Sequence, residues 1–260
     1  SLPQTRPNAT IRTQPLLRSL YKSTQIAPKR YHLRLQTTRR LTVNTLLESA
    51  VVTFQSTTSA TEAQTWLNSL TVPTVACDFE SASRYTEAEK AEFTAQLETA
   101  SRSEKHVLLQ RINSDGLSHP SLSQLTHFSL AYSESEAYVF ILDNPEIHSV
   151  VLDWIVTTEI KQIWHNLCFD GKHIYYNRKR LPKDYEDSQI LAKTLLNHVD
   201  NTKSATGLKH LMGYKFGAWA VSSDFFSLDQ MYNPDLLHYA ATDSCATLTL
   251  WNEISNYLKD

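Results

Sequence analysis

Four carboxylates and one tyrosine, spread over three short stretches, could do chemistry together. Asp78 and Glu80 stand in VACDFES, Asp170 in WHNLCFD, and Tyr239 with Asp243 in LHYAATD. Residues two apart on a strand share a face, and TVACDFE is a β-branched and apolar run. Asp78 and Glu80 therefore project side by side. Tyr239 and Asp243 are four residues apart, which makes them neighbours on a helix, here one opening at Asn233-Pro234-Asp235. Clustered carboxylates without histidine or cysteine at ligand spacing are hard oxygen ligands, suited to Mg²⁺ or Mn²⁺. Two such ions close together are the usual engine of phosphodiester hydrolysis.

The elements that must position these residues follow from the pattern of the chain. Val51–Phe54 reads as a strand, Ala60–Leu70 as a helix and Thr74–Phe79 as the strand of the first acidic pair. Thr86–Ser101 reads as a polar helix and Ser114-Asp115-Gly116 as a turn. HFSLAYS and EAYVFIL read as strands joined by a turn at Ser133–Ser135. Val150–Trp154 and a helix lead to the strand-like KQIWH. Asp170 then lies at the start of a helix running through His173–Tyr176. Strand, loop and helix alternate as in an α/β protein.

The three stretches resemble the motifs of the DEDD 3′→5′ exonuclease superfamily: D-x-E, then N-x-x-[FY]-D, then Y-x-x-x-D. Spacing and flanks are most similar to the proofreading domain of family A (DNA polymerase I type) DNA polymerases. EDSQILAKTLLN resembles that family's D-[ST]-x₆-L-L-N connector, and GLKHLMGYKF its following helix, which ends in a glycine. VTFQSTTSATEAQTWLNSL resembles the strand-helix entry to the first motif. The resemblance implies a ribonuclease H-like mixed central sheet flanked by helices, over about residues 48–260.

It also implies a role for each residue. Asp78, Glu80 and Asp243 would hold one divalent ion and Asp78 with Asp170 a second, while Tyr239 would orient the attacking water. Phe79, Asn166 and Phe169 would bind the 3′-terminal nucleotides, and Arg84 stands near the place of an apolar wedge. The implied activity releases nucleoside monophosphates from a single-stranded or frayed 3′ end of DNA, as in proofreading. Its partner would be a DNA polymerase module in the same or another chain. A ribonuclease-D-like enzyme trimming RNA is the alternative, and a silent DNA-binding or scaffolding domain a third reading. His238 lies five residues before Asp243, the spacing of the superfamily's histidine branch, which His165 and Asn166 would also fit. Five helical residues leave an offset of about 140° and four only about 40°, which favours Tyr239. Asp187 matches a family position at the start of the next helix, where a capping or backing role and a catalytic one are the alternatives.

Charge divides the chain. The net charge is −2, yet residues 1–47 carry nine of the 25 bases and no acid, leaving 16 bases against 27 acids beyond. This basic segment is expected to be an arm without its own core. Phosphate contact, docking to another protein and organellar targeting compete as its role. No stretch reaches the roughly 18 apolar residues of a membrane span. Three cysteines without C-x-x-C point to a reducing, intracellular compartment. Cys77, Cys168 and Cys245 are expected to be buried fillers behind the acids. Lys172, Arg178, Lys179, Arg180 and Lys183 form the one dense basic cluster beyond the arm, either a solvated helix end or a guide for the substrate strand.

Overall fold

The computed structural model describes residues 50–112, 120–196, 204–221 and 225–259. The arm at 1–47 and the turn at 114–116 lie outside them. In chain order the elements are β1 (Thr53–Thr57), α1 (Ala60–Ser69), β2 (Thr74–Ser83), α2 (Glu87–Gln96) and α3 (Arg102–Ile112). There follow β3 (Ser123–Ala131), β4 (Glu136–Ile141), α4 (Pro145–Thr157), β5 (Lys161–Trp164), α5 (Leu167–Arg178) and β6 (Tyr185–Asp187). The chain closes with α6 (Ser188–Leu196), α7 (Leu208–Phe216) and the 24-residue α8 (Pro234–Tyr257). The expected single helix at 86–101 is instead α2, started by a reciprocal Thr86–Glu89 capping box, with α3 beyond it. Val150–Trp154 lies within α4, where Asn144 accepts from the Glu146 and Ile147 amides and Pro145 opens the helix.

The six strands form one mixed sheet in the order β1-β4-β3-β2-β5-β6. β2 pairs antiparallel with β3 and parallel with β5, so the strand of the acidic pair is internal. Alternation along β2 sorts its side chains between two cores. Val75, Cys77 and Phe79 join α1 and α4 on one face, with Phe128, Phe140 and Trp164. Ala76 joins the other core, built with Leu211, Met212, Ala241 and Cys245 from α7 and α8. Asp78 and Glu80 continue the Ala76 face and so emerge where α8 crosses the sheet. Each buried large aliphatic or aromatic side chain contributes about 1.5–3 kcal/mol, and two such cores offset the cost of desolvating acids between them. No helix among the described residues is long and apolar enough to cross a membrane.

Candidate active site

Three elements converge on the acids. Asp78 and Glu80 leave β2 just before its pairing with β3 shifts register after Glu80, a bulge of the kind that re-aims side chains. Asp243 comes from α8, whose start is set by Asn233 capping the Asp235 amide and by Pro234 in the first turn. Asp78, Glu80 and Asp243 each offer a carboxylate oxygen, all within 4.8 Å of one another. Asp170, buried in the first turn of α5, accepts from the Phe79 amide at 3.3 Å. It is close enough to Asp78 for their charges to interact.

The electrostatics are those of crowded acids in a dry place. Burial first, then the charge of Asp243, pushes Asp78 up to about 7, against the pull of Lys209 and a hydrogen bond with Glu80. Burial and the charge of Asp78 hold Glu80 and Asp170 well above the usual carboxylate range. Glu80 Oε1 is buried without a hydrogen-bond partner. Buried polar groups of this kind are expensive unless paired, and a divalent cation would pair this one. The donor set is all oxygen, which fits Mg²⁺ or Mn²⁺.

Tyr239 faces the acids and His238 does not. Burial, then the charges of Asp243, Glu80 and Asp78, raise the Tyr239 hydroxyl far above its ordinary value. Its ring is held edge-on by Phe226, with centroids 5.6 Å apart. His238 is exposed and its ring lies 6.2 Å from Phe54. His165 bonds Ser188 Oγ and the Thr206 carbonyl, and burial pushes it down to about 4. It is a neutral strut.

Two expectations require correction, those for Phe79 and Cys168, and the other named residues take the following places. The Phe79 side chain is buried, its ring 5.1 Å from Phe128 and 5.7 Å from Trp164. Strand alternation turns it away from the acids, so only its amide serves them. Cys77 and Cys245 are buried but Cys168 is exposed, because it falls on the outer side of α5. Asn166 is exposed and Phe169 half-buried, with its ring 5.9 Å from that of His173. The Arg84 guanidinium, near the place of the relatives' apolar wedge, donates to the Ser123 and Pro120 carbonyls. Within the basic cluster, Arg178 pairs with Asp153, Lys183 with Glu159, and Lys179 donates to the Tyr176 carbonyl. Lys172 and Arg180 are exposed.

Three positioning contacts escaped the sequence reading. Lys209 Nζ donates to both oxygens of Asp243, at 2.8 and 2.7 Å, and Trp219 Nε1 donates to Oδ1. A cation in the first turn of a helix opposes the macrodipole, and that misplacement was the available signal for Lys209. Gly217, at φ 74° and ψ −163°, ends α7 in a conformation that suits glycine and turns the chain towards Trp219. His127, opposite Glu80 in the sheet, bonds the Met231 carbonyl at 2.7 Å and so ties β3 to the approach of α8.

Asp187 is a double clip. One oxygen accepts from the Asn166, Gln189 and Ile190 amides and the other from Leu167. Asn166 is left-handed, at φ 69°, so the turn before Asp170 is held from outside. Asp187→Ala is expected to cost about 1–3 kcal/mol and to slow turnover by loosening Asp170. Thermal melting and kcat measured on one preparation check both effects.

No family profile matches the chain, nor does any curated protein sequence. Solved structures do match. Brucella melitensis NrnC with bound Mg²⁺ superposes with TM-score 0.50 at 16% identity, over 80% of this chain and 82% of that one. The chain shares the fold of this nuclease, a mixed ribonuclease H-like sheet flanked by helices. Trypanosoma brucei RNase D in complex with RNA U12 gives TM-score 0.51 at 12% identity, over 80% of this chain and 63% of that one. The catalytic core of T. brucei RRP6 gives 0.51 at 10%, over 79% and 47%. The chain thus spans less than two thirds of the RNase D and RRP6 chains.

Proposed function

We propose that the protein is a metal-dependent 3′→5′ exonuclease that trims single-stranded RNA. The observation that carries the reading is the set of three ligand oxygens within 4.8 Å, with Tyr239 facing them and Asp170 behind. Asp78, Glu80 and Asp243 would hold one divalent ion, and Asp78 with Asp170 a second. Ions so held supply charge neutralisation at the phosphoryl group and an acidified water. Tyr239 keeps its proton and orients a water through a neutral hydroxyl. Asn166 and Phe169 offer an exposed amide and a ring face to the terminal nucleotides. RNA is preferred over the proofreading role because RNase D, bound to RNA in its solved complex, shares this fold. The likeness of the connectors to family A polymerases leaves DNA as the second reading.

The test is hydrolysis of 5′-labelled single-stranded RNA and DNA of equal sequence, in Mg²⁺ and in EDTA. The expected result is a ladder of 3′-shortened RNA in Mg²⁺, with nucleoside monophosphates released and DNA degraded more slowly. Faster degradation of DNA would restore the proofreading reading. Absence of a ladder from either substrate would end the exonuclease reading.

A further inference from the structure

Lys209 is the residue whose placement the fold itself does not require. It stands second in α7, a first turn that contains no acid, where the helix dipole disfavours a cation. Its ammonium is nevertheless held from three sides. It bonds both oxygens of Asp243, lies 4.4 Å from the centre of the Tyr239 ring and 5.4 Å from that of Trp219. Its partner carboxylate is 9% exposed while Lys209 itself is 42% exposed, so the lysine approaches the site from solvent. Asp243 thus has both oxygens engaged by Lys209, and one shared with Trp219, at the point where it would also ligate an ion.

We infer that Lys209 is a tethered cation that competes with the divalent ion at Asp243 and couples ion loading to the arrival of a phosphodiester. The inference rests on the exonuclease reading. Charge accounts for the coupling. Two divalent ions balance Asp78, Glu80, Asp170 and Asp243, and Lys209 adds one further positive charge. A phosphodiester carries the single negative charge that cancels this surplus. Without it, cation repels cation across a short and poorly solvated distance. With it, the lysine gains an anion to face and its hold on Asp243 relaxes. Lys209 is a positioning residue in this scheme, since it acts through Asp243 and the ion. By linkage, whatever the phosphodiester adds to ion affinity the ion adds to phosphodiester affinity.

Mn²⁺ titration followed by electron paramagnetic resonance tests this on the free protein. Lys209→Met keeps a stem of similar length without the charge, and should bind Mn²⁺ about fivefold or more tightly than wild type. Lys209→Arg retains the charge and should stay close to wild type. A single-stranded oligonucleotide with a phosphorothioate last linkage should tighten Mn²⁺ binding to wild type, and do so less for Lys209→Met. A Lys209→Met protein with the wild-type circular dichroism spectrum but equal or weaker Mn²⁺ binding overturns the proposal. Should that variant not fold, Lys209→Gln is judged by the same criterion. The free-protein titration needs no turnover, so it fails or succeeds separately from the hydrolysis assay. A wild type that binds Mn²⁺ but hydrolyses nothing would strike the exonuclease reading instead.

Discussion

Replacing Asp78 and Glu80 together by alanine is expected to abolish hydrolysis while making the ion-free protein more stable. The loss should be at least about 10⁴-fold, the removal of several kcal/mol of transition-state stabilisation. Both side chains leave one face of β2 and belong to the cluster within 4.8 Å, so no remaining pair of acids could hold the same ion. The gain in stability has a definite sign. Asp78 is raised from 3.8 to about 7 in the fold, chiefly by burial and by Asp243. An acid so raised binds protons more tightly folded than unfolded. Its favourable contribution is complete below about 4 and disappears as pH rises through about 7. In EDTA, wild type should therefore lose stability from pH 4 to above 7 relative to the double variant. His165, pushed down to about 4, works in the opposite sense in both proteins and cancels from the difference. Added Mg²⁺ should raise the melting temperature of wild type at pH 8 and leave the variant unmoved. A variant that keeps the wild-type rate, or the wild-type slope of stability against pH, would remove these residues from the site.

Much of this site was legible because it rests on local periodicity. The two-residue repeat of β2 places Asp78 and Glu80 together, and the four-residue step of α8 places Tyr239 with Asp243. The same repeat also assigns Phe79 to the opposite face; the family resemblance made it a substrate contact, and the alternation of the strand prevailed. Cys168 was misplaced for a related reason, because an offset from Asp170 around a helix indicates a direction but not whether protein or solvent lies there. What stayed hidden is long-range. Lys209 reaches Asp243 across 34 residues and His127 reaches Met231 across 104. The cation in the first turn of α7 marks Lys209 as unusual, but no pattern within either segment names the partner, which depends on how α7 and α8 cross the sheet. Asp187 is intermediate: its cap on α6 is a local signal, while its grip on the Asn166 turn needs β5 and β6 to be parallel neighbours.

Tyr239→Phe is expected to lower kcat by about tenfold or more with little change in ion affinity, and His238→Ala to matter far less. The substitution at Tyr239 removes one oxygen and leaves the ring, so its contacts with Phe226 and the Lys209 ammonium persist. What is lost acts on the transition state and should appear in kcat. His238 touches Phe54 and is turned about 140° from Asp243 around α8, so its loss should register as a small fall in stability. Steady-state kinetics with the reverse ranking would move the protein to the histidine branch of the fold. The pH profile separates two uses of the tyrosine. Burial, and in the ion-free protein three neighbouring carboxylates, raise its hydroxyl far above 10.0, so without ions it stays protonated wherever the protein is folded. Burial, the larger cause, persists when ions neutralise the carboxylates, so wild-type kcat should show no alkaline inflection belonging to Tyr239. An inflection near pH 10 that Tyr239→Phe abolished would mean that the tyrosinate is the base, and that the acids around it are less charged than their geometry requires.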